Sequence, residues 1–157
     1  MNHLLPCSLR PAVSRLLPVD ASHFGGPALA GWFALVWLLA VSARSLVHVF
    51  SPDGGAHSIA TIDTSVGGGR NIIAIFGQWG AIQLILAGLL WVLLLGYRGL
   101  TPLILCVLLA EPVLRALSGR LKPLETVGVA PGRRFNGLAV LVVALVLYLA
   151  LCGAEPR

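Results

Sequence analysis

Acidic residues are the first shortage. Asp and Glu number six in 157 residues, and charged residues of both signs reach only 11%. A soluble domain carries roughly 25%, so this chain is too poor in charge to cover a water-facing surface. With 57% hydrophobic residues, lipid is the solvent that suits it. Cysteine is also scarce. Cys7, Cys106 and Cys152 are odd in number and form no C-x-x-C, which excludes a disulfide framework and a zinc motif. Cys106 and Cys152 lie in apolar runs, where cysteine acts as a small hydrophobe. No signal-peptide pattern is present, because Pro6, Arg10, Pro11, Arg15 and Pro18 interrupt any apolar core. The apolar runs further on lack two-residue alternation and are too long for β-barrel strands.

What is present is a set of four long apolar runs. Residues 1–27 form a Pro-punctuated leader, acid-poor as a transit peptide is, and read here as interfacial or disordered. Spans are expected at about 28–50, 72–97, 100–118 and 137–153, each near the 20 residues a bilayer requires. Ser51-Pro52-Asp53-Gly54-Gly55 ends the first with strong turn chemistry. The Arg98-Gly99 connection is so short that its flanking helices must form an antiparallel hairpin. The expected fold is therefore all-α: an antiparallel four-helix transmembrane bundle. Its two longer loops, 51–70 and 119–136, lie on one membrane face, side B. The leader, the 98–99 turn and the C-terminus lie on side A.

The net charge of +5 is scattered over the connections, with no dense basic stripe. Headgroup contact accounts for it and nucleic acid does not. Side A carries Arg10, Arg15, Arg98 and Arg157; side B carries Arg70, Arg120, Lys122, Arg133 and Arg134. Four against five leaves the orientation open under the positive-inside rule.

Ionisable residues inside spans are costly and face a bundle interior or a wet cavity. Arg44, His48, Gln78, Glu111 and Arg115 all fall in the middle or the side B half of their spans, with Gln83 nearer the middle. Trp37, Val41, Arg44 and His48 share one helical stripe, and so do Ile104, Leu108, Glu111, Arg115, Ser118 and Lys122. Glu111 needs a cationic partner. The expected arrangement is an Arg44–Glu111–Arg115 network with His48 and Gln78 beside it. It either fixes helix register or forms a ligand site, unless the arginines snorkel to headgroups. Pro112 removes a backbone donor and frees the Leu108 carbonyl. Gly77, Ala81 and Gly88 form a stripe expected to bring helices close.

The loops offer further candidates. Asp53, His57 and Asp63 are metal-type donors, but their spacing matches no known ligand set, so no metal is assigned. Gly67–Gly69 before Arg70 and Asn71 has the look of an anion nest, without the Lys-Ser/Thr of a P-loop. Lys122 and Glu125, with Thr126, Arg133, Arg134 and Asn136, belong to the second loop, and the two loops together are placed either to lid the polar site or to bind anionic headgroups. His48 is the one histidine in a span, which rules against a bis-histidine haem. No cofactor is identified.

The stretch HVFSPDGGAHSIATIDTSVGGGRN at 48–71, with FGQWG at 76–80 and LKPLETVGVAPG at 121–132, resembles a family of small, uncharacterised four-span bacterial inner-membrane proteins. In size and topology alone the layout also resembles DoxX-like proteins, some of which are associated with quinone-linked oxidoreductases. The resemblance covers residues 28–153 and implies a multi-pass protein of the bacterial inner membrane. It defines no motif from which catalytic residues can be carried over.

Two functional classes follow. The first is a non-enzymatic accessory subunit or a binder of a lipid-like molecule, quinone or lipid. Its partners are membrane lipid and a larger membrane complex or a homo-oligomer. The second is a small membrane enzyme or transporter in which Glu111 exchanges a proton and His48 relays it. Transport usually goes with inverted repeats and broken helices, and neither is visible.

Overall fold

The computed structural model describes residues 3–6 and 8–152, Pro131 by its backbone alone. Cys7, Gly153 and Arg157 lie outside the described residues. The described chain is all-helical, with four long helices: α1 Ala28–Phe50, α2 Gly69–Gly96, α3 Thr101–Leu121 and α4 Pro131–Leu151. Each is long and apolar enough to cross a membrane.

Local chemistry sets the helix ends. Pro27 is extended and α1 begins directly after it, while Ser51 returns to extended backbone ahead of Pro52. Gly68, at φ 91°, turns the chain into α2. Proline stands in the first turn of α3 and of α4, where its missing N–H costs nothing. The observed α1 has the expected bounds. Three other ends differ by three residues or more: α2 starts at 69 rather than 72, α3 continues to 121 rather than 118, and α4 starts at 131 rather than 137. These added turns are polar, so a search for apolar runs passes over helix that projects beyond the hydrocarbon.

The helices pair as two antiparallel hairpins, α1 with α2 and α3 with α4, and among the described residues no Cα atom of α2 comes within 8 Å of one in α4. Ala30, Ala34 and Leu38 of α1 meet Ala87, Leu90 and Leu94 of α2, Ile104, Leu105 and Leu108 of α3, and Val143, Val146 and Ala150 of α4. No span buries more than 33% of its apolar stretch inside the bundle. Trp32, Val36, Ile82, Ile85, Leu89, Leu141 and Leu145 point outward and exposed. In water such a surface would aggregate; in a bilayer it is the lipid contact. The chain is a multi-pass integral membrane protein.

The leader lies across side A. Its His3 and Leu4 carbonyls accept from the Ala28 and Leu29 amides, its Ala21 carbonyl accepts from Gly99, and its Ala12 amide donates to Leu151. The Arg15 Nη1 also donates to the Leu151 carbonyl, at 2.8 Å, capping the C-terminal end of α4. On side B the two loops meet. The Val127 amide donates to the Thr61 carbonyl at 2.9 Å, and the Thr61 hydroxyl donates to the Gly128 carbonyl at 3.0 Å.

Candidate functional site

Two helices converge on one carboxylate. Arg44 Nη2 of α1 and Arg115 Nη1 of α3 each donate to Glu111 Oε1 at 3.0 Å. Arg44 lies six residues before the end of α1, and Glu111 and Arg115 lie ten and six before the end of α3. At 1.5 Å per residue that places the arginines about 9 Å and Glu111 about 15 Å from the side B ends of their helices. Arg44 Nη2 also reaches Gln83 Oε1 of α2 at 3.4 Å, and the Ser45 hydroxyl donates to the same oxygen at 3.2 Å. On the other flank, Asn136 of α4 accepts from Arg115 Nε at 3.1 Å and Nη2 at 2.8 Å. Its Nδ2 donates to the Pro112 carbonyl at 3.0 Å. One polar chain therefore runs through all four helices and joins the two hairpins.

Gln78 is exposed and stands outside this chain. Gln83 holds the place beside Arg44 instead, because the buried stripe of α2 is Gly80, Gln83, Ala87, Leu90 and Leu94. The same rotation corrects the small-residue stripe. Ala81 and Gly88 are exposed, with open space at Gly88. Gly80 makes the close approach: a Cβ there would lie 2.6 Å from His48 Cβ.

His48 is buried but is not brought to Glu111. Its Nδ1 donates to the Gly54 carbonyl at 2.8 Å, and its ring sits 4.9 Å from Trp79 and 5.7 Å from Phe76. Gly55, at φ 72°, passes so near that a Cβ would lie 2.8 Å from His48 Nδ1. His48 thus anchors the first loop onto α1 and α2. Trp79 links it to the network, since the Arg44 guanidinium lies 5.8 Å from that ring.

The loop candidates serve the loops. Asp53 accepts from the Ser51 hydroxyl, from the Ser58 amide at 2.7 Å and from the Gly55 amide at 2.9 Å. The Ser51 hydroxyl, and then the Ser58 amide, hold its carboxyl well below the usual carboxylate range. Asp63 binds the hydroxyl and amide of Ser65, which lower it likewise. His57 Nδ1 donates to the Ile62 carbonyl at 3.3 Å. Arg70, Asn71, Lys122 and Glu125 are exposed. In the glycine run the Gly69 amide donates to Val66 and the Asn71 amide to Gly68, so these donors are turned inward rather than toward an anion.

Beside the network is a narrow crevice of about 30 Å³ between α1, α2 and α3. Glu111 and Gln83 form its polar end, and Val41, Ala87, Leu90 and Leu108 its apolar walls. Leu86, on the same lining, is exposed, so the crevice opens sideways toward lipid between α2 and α3.

Sequence reasoning left Ser45, Trp79 and Asn136 out of the cluster. Pro131 is a helix-start signal that places Asn136 in the second turn of α4, on helix rather than loop. The fold and the cluster together define a class, the four-span α-helical membrane protein with a charged network in one half of its bundle. No family model, no curated protein and no solved structure matches the chain.

Proposed function

We propose that the chain is a non-enzymatic binder of a lipid-like molecule, a lipid or a quinone, held at the polar end of the α1–α2–α3 crevice. One observation carries this reading: an apolar crevice open to the bilayer ends on polar groups, Glu111 and Gln83, inside the hydrocarbon. The crevice itself holds about one water, so the ligand lies along its mouth in the bilayer, head toward Glu111 and Gln83, rather than inside the bundle. The four apolar spans support a membrane location; we take the bacterial inner membrane from the resemblance at 48–71, and the role as accessory subunit of a larger assembly from the looser likeness of size and topology to DoxX-like proteins.

Proton transfer between Glu111 and His48 has less support. Both guanidiniums occupy Glu111 Oε1, and His48 faces the Gly54 carbonyl and the Phe76–Trp79 pair.

Native mass spectrometry of protein extracted in a mild detergent tests the proposal. A retained amphiphile in about one copy per chain is the expected result, with retention lost in a folded Glu111→Gln variant. Protein that carries no such adduct under any mild extraction contradicts it.

A further inference from the structure

We infer that the leader builds a second site on side A, a cup for an ammonium–phosphate head of the phosphoethanolamine kind. It lies at the opposite end of the bundle from the Glu111 network and is separate from the crevice.

The first ground is the cavity itself. A space of about 330 Å³ lies between the leader and the side A ends of α3 and α4. Ligand pockets run from about 300 to 1,000 Å³, whereas the crevice at Glu111 has about 30 Å³. Arg15, Asp20, His23 and Phe24 of the leader line the cup, with Pro102 and Ala150 on the bundle side. Pro102 is the second residue of α3 and Ala150 the last but one of α4. The cup therefore stands at the level of the lipid headgroups.

The second ground is that the walls are tied down. The Ala12 amide and Arg15 Nη1 both donate to the Leu151 carbonyl. Further along the leader, the Gly99 amide donates to the Ala21 carbonyl at 2.8 Å. A Cβ at Gly99 would lie 2.8 Å from Ala21 Cα, so the leader is seated closely there. The space between these two ties is a shape the fold holds open.

The third ground is charge. Arg15 and Asp20 line the same space, yet the ion pairs among the described residues, within 4.0 Å, are both on Glu111. Arg15 is half-buried. It spends Nη1 on Leu151, and its Nε and Nη2 bond no described residue. Asp20 Oδ1 accepts from the Ser22 amide at 2.8 Å. A cation and a carboxylate that face one cavity without pairing suit a ligand carrying both charges, its phosphate toward Arg15 and its ammonium toward Asp20. An anion alone would be repelled by Asp20 and a cation alone by Arg15. A primary ammonium also brings N–H donors for Asp20, which a trimethylammonium lacks.

Asp20→Asn tests the assignment, because it keeps a side-chain oxygen for the Ser22 amide and removes the charge. Wild type and this variant are titrated in neutral detergent with phosphatidylethanolamine, phosphatidylcholine and phosphatidylglycerol of the same chains, and with free O-phosphoethanolamine. Occupancy is read by native mass spectrometry, and its place by the ring nitrogen resonances of His23. Wild type is expected to bind phosphatidylethanolamine at least about tenfold tighter than either other lipid, a gap of about 1.4 kcal/mol, and to shift the His23 resonances. Asp20→Asn should lose the preference over phosphatidylcholine with helix content unchanged, while a folded Glu111→Gln variant keeps it. Displacement of the lipid by free phosphoethanolamine assigns recognition to the head alone; binding by the lipid only assigns a membrane source. Equal binding of phosphatidylethanolamine and phosphatidylcholine by wild type overturns the inference whether or not the variants fold. So do tightest binding of phosphatidylglycerol, unmoved His23 resonances, or no binding by any of the four. A preference that survives in folded Asp20→Asn, or is lost in folded Glu111→Gln, overturns it too and leaves a lipid at the crevice standing.

Discussion

Glu111→Gln removes one charge and almost no volume, so its effect can be worked from the contacts. Glu111 Oε1 accepts from two guanidiniums, each at 3.0 Å. Removing one partner of a buried ion pair costs about 3–5 kcal/mol, whereas interhelical hydrogen bonds in a bilayer average about 0.6 kcal/mol. The side chains of Arg44, Glu111 and Arg115 are 24%, 25% and 34% exposed, which moves the figure down from the buried limit. The introduced amide would keep an acceptor at this position, Arg44 keeps Gln83, and Arg115 keeps Asn136. About 2 kcal/mol remains, or about 30-fold in the unfolding equilibrium. Denaturing-detergent titration in mixed micelles measures it, within a double-mutant cycle that adds Arg44→Met. The double variant has the same net intramembrane charge as wild type, so it should be less destabilised than the sum of the single changes by about 1–2 kcal/mol. Additivity within about 0.5 kcal/mol would refute coupling between α1 and α3 through this carboxylate.

Two further outcomes follow from the geometry. Gly80→Val should destabilise the α1–α2 hairpin by about 1–3 kcal/mol, because its Cβ would lie 2.6 Å from His48 Cβ. Gly88→Ala, facing open space, should be neutral or slightly stabilising through helix propensity, and thermal unfolding of the two variants separates these results. Asp53 has a lowered pKa in the folded loop, so the stability it contributes is full above the ordinary value of about 3.9. That stability is lost as pH falls from there through the folded value. Hydrogen exchange at the Gly55 and Ser58 amides, corrected for intrinsic rate, should accelerate over that acid range in wild type. In Asp53→Asn it should start faster and stay flat with pH.

The fold is legible in the sequence wherever hydrophobicity and turn chemistry agree. The bounds of α1 follow from Pro27 and from Ser51-Pro52; the Arg98-Gly99 turn does reverse the chain, but α2 and α3 pack little on each other and the close hairpins are α1–α2 and α3–α4. The α3–α4 connection is less legible, because Gly119–Leu121 and Pro131–Asn136 are helical yet polar. In the cluster, Arg44, Glu111 and Arg115 come together as the cost of charge in hydrocarbon demands. Gln78 and Gln83 illustrate the limit. Both are amides on one apolar helix, five residues and about 140° apart at 3.6 residues per turn. Choosing between them requires the face of α2 that meets α1, which the buried run from Gly80 to Leu94 defines only once the helices are packed. The depth of His48 can be read from its place in α1, but its partner is a loop carbonyl whose position depends on the fold of residues 51–62.

The convergence of charge is tested most directly by a heteronuclear dipolar coupling measured by solid-state NMR in lipid bilayers. The nuclei are the Arg44 guanidinium nitrogens and the Glu111 side-chain carboxyl carbon. A coupling that matches the 3.0 Å Nη2–Oε1 contact is the expected result. No coupling, with the Arg44 nitrogens reporting water or headgroup phosphate instead, would contradict it.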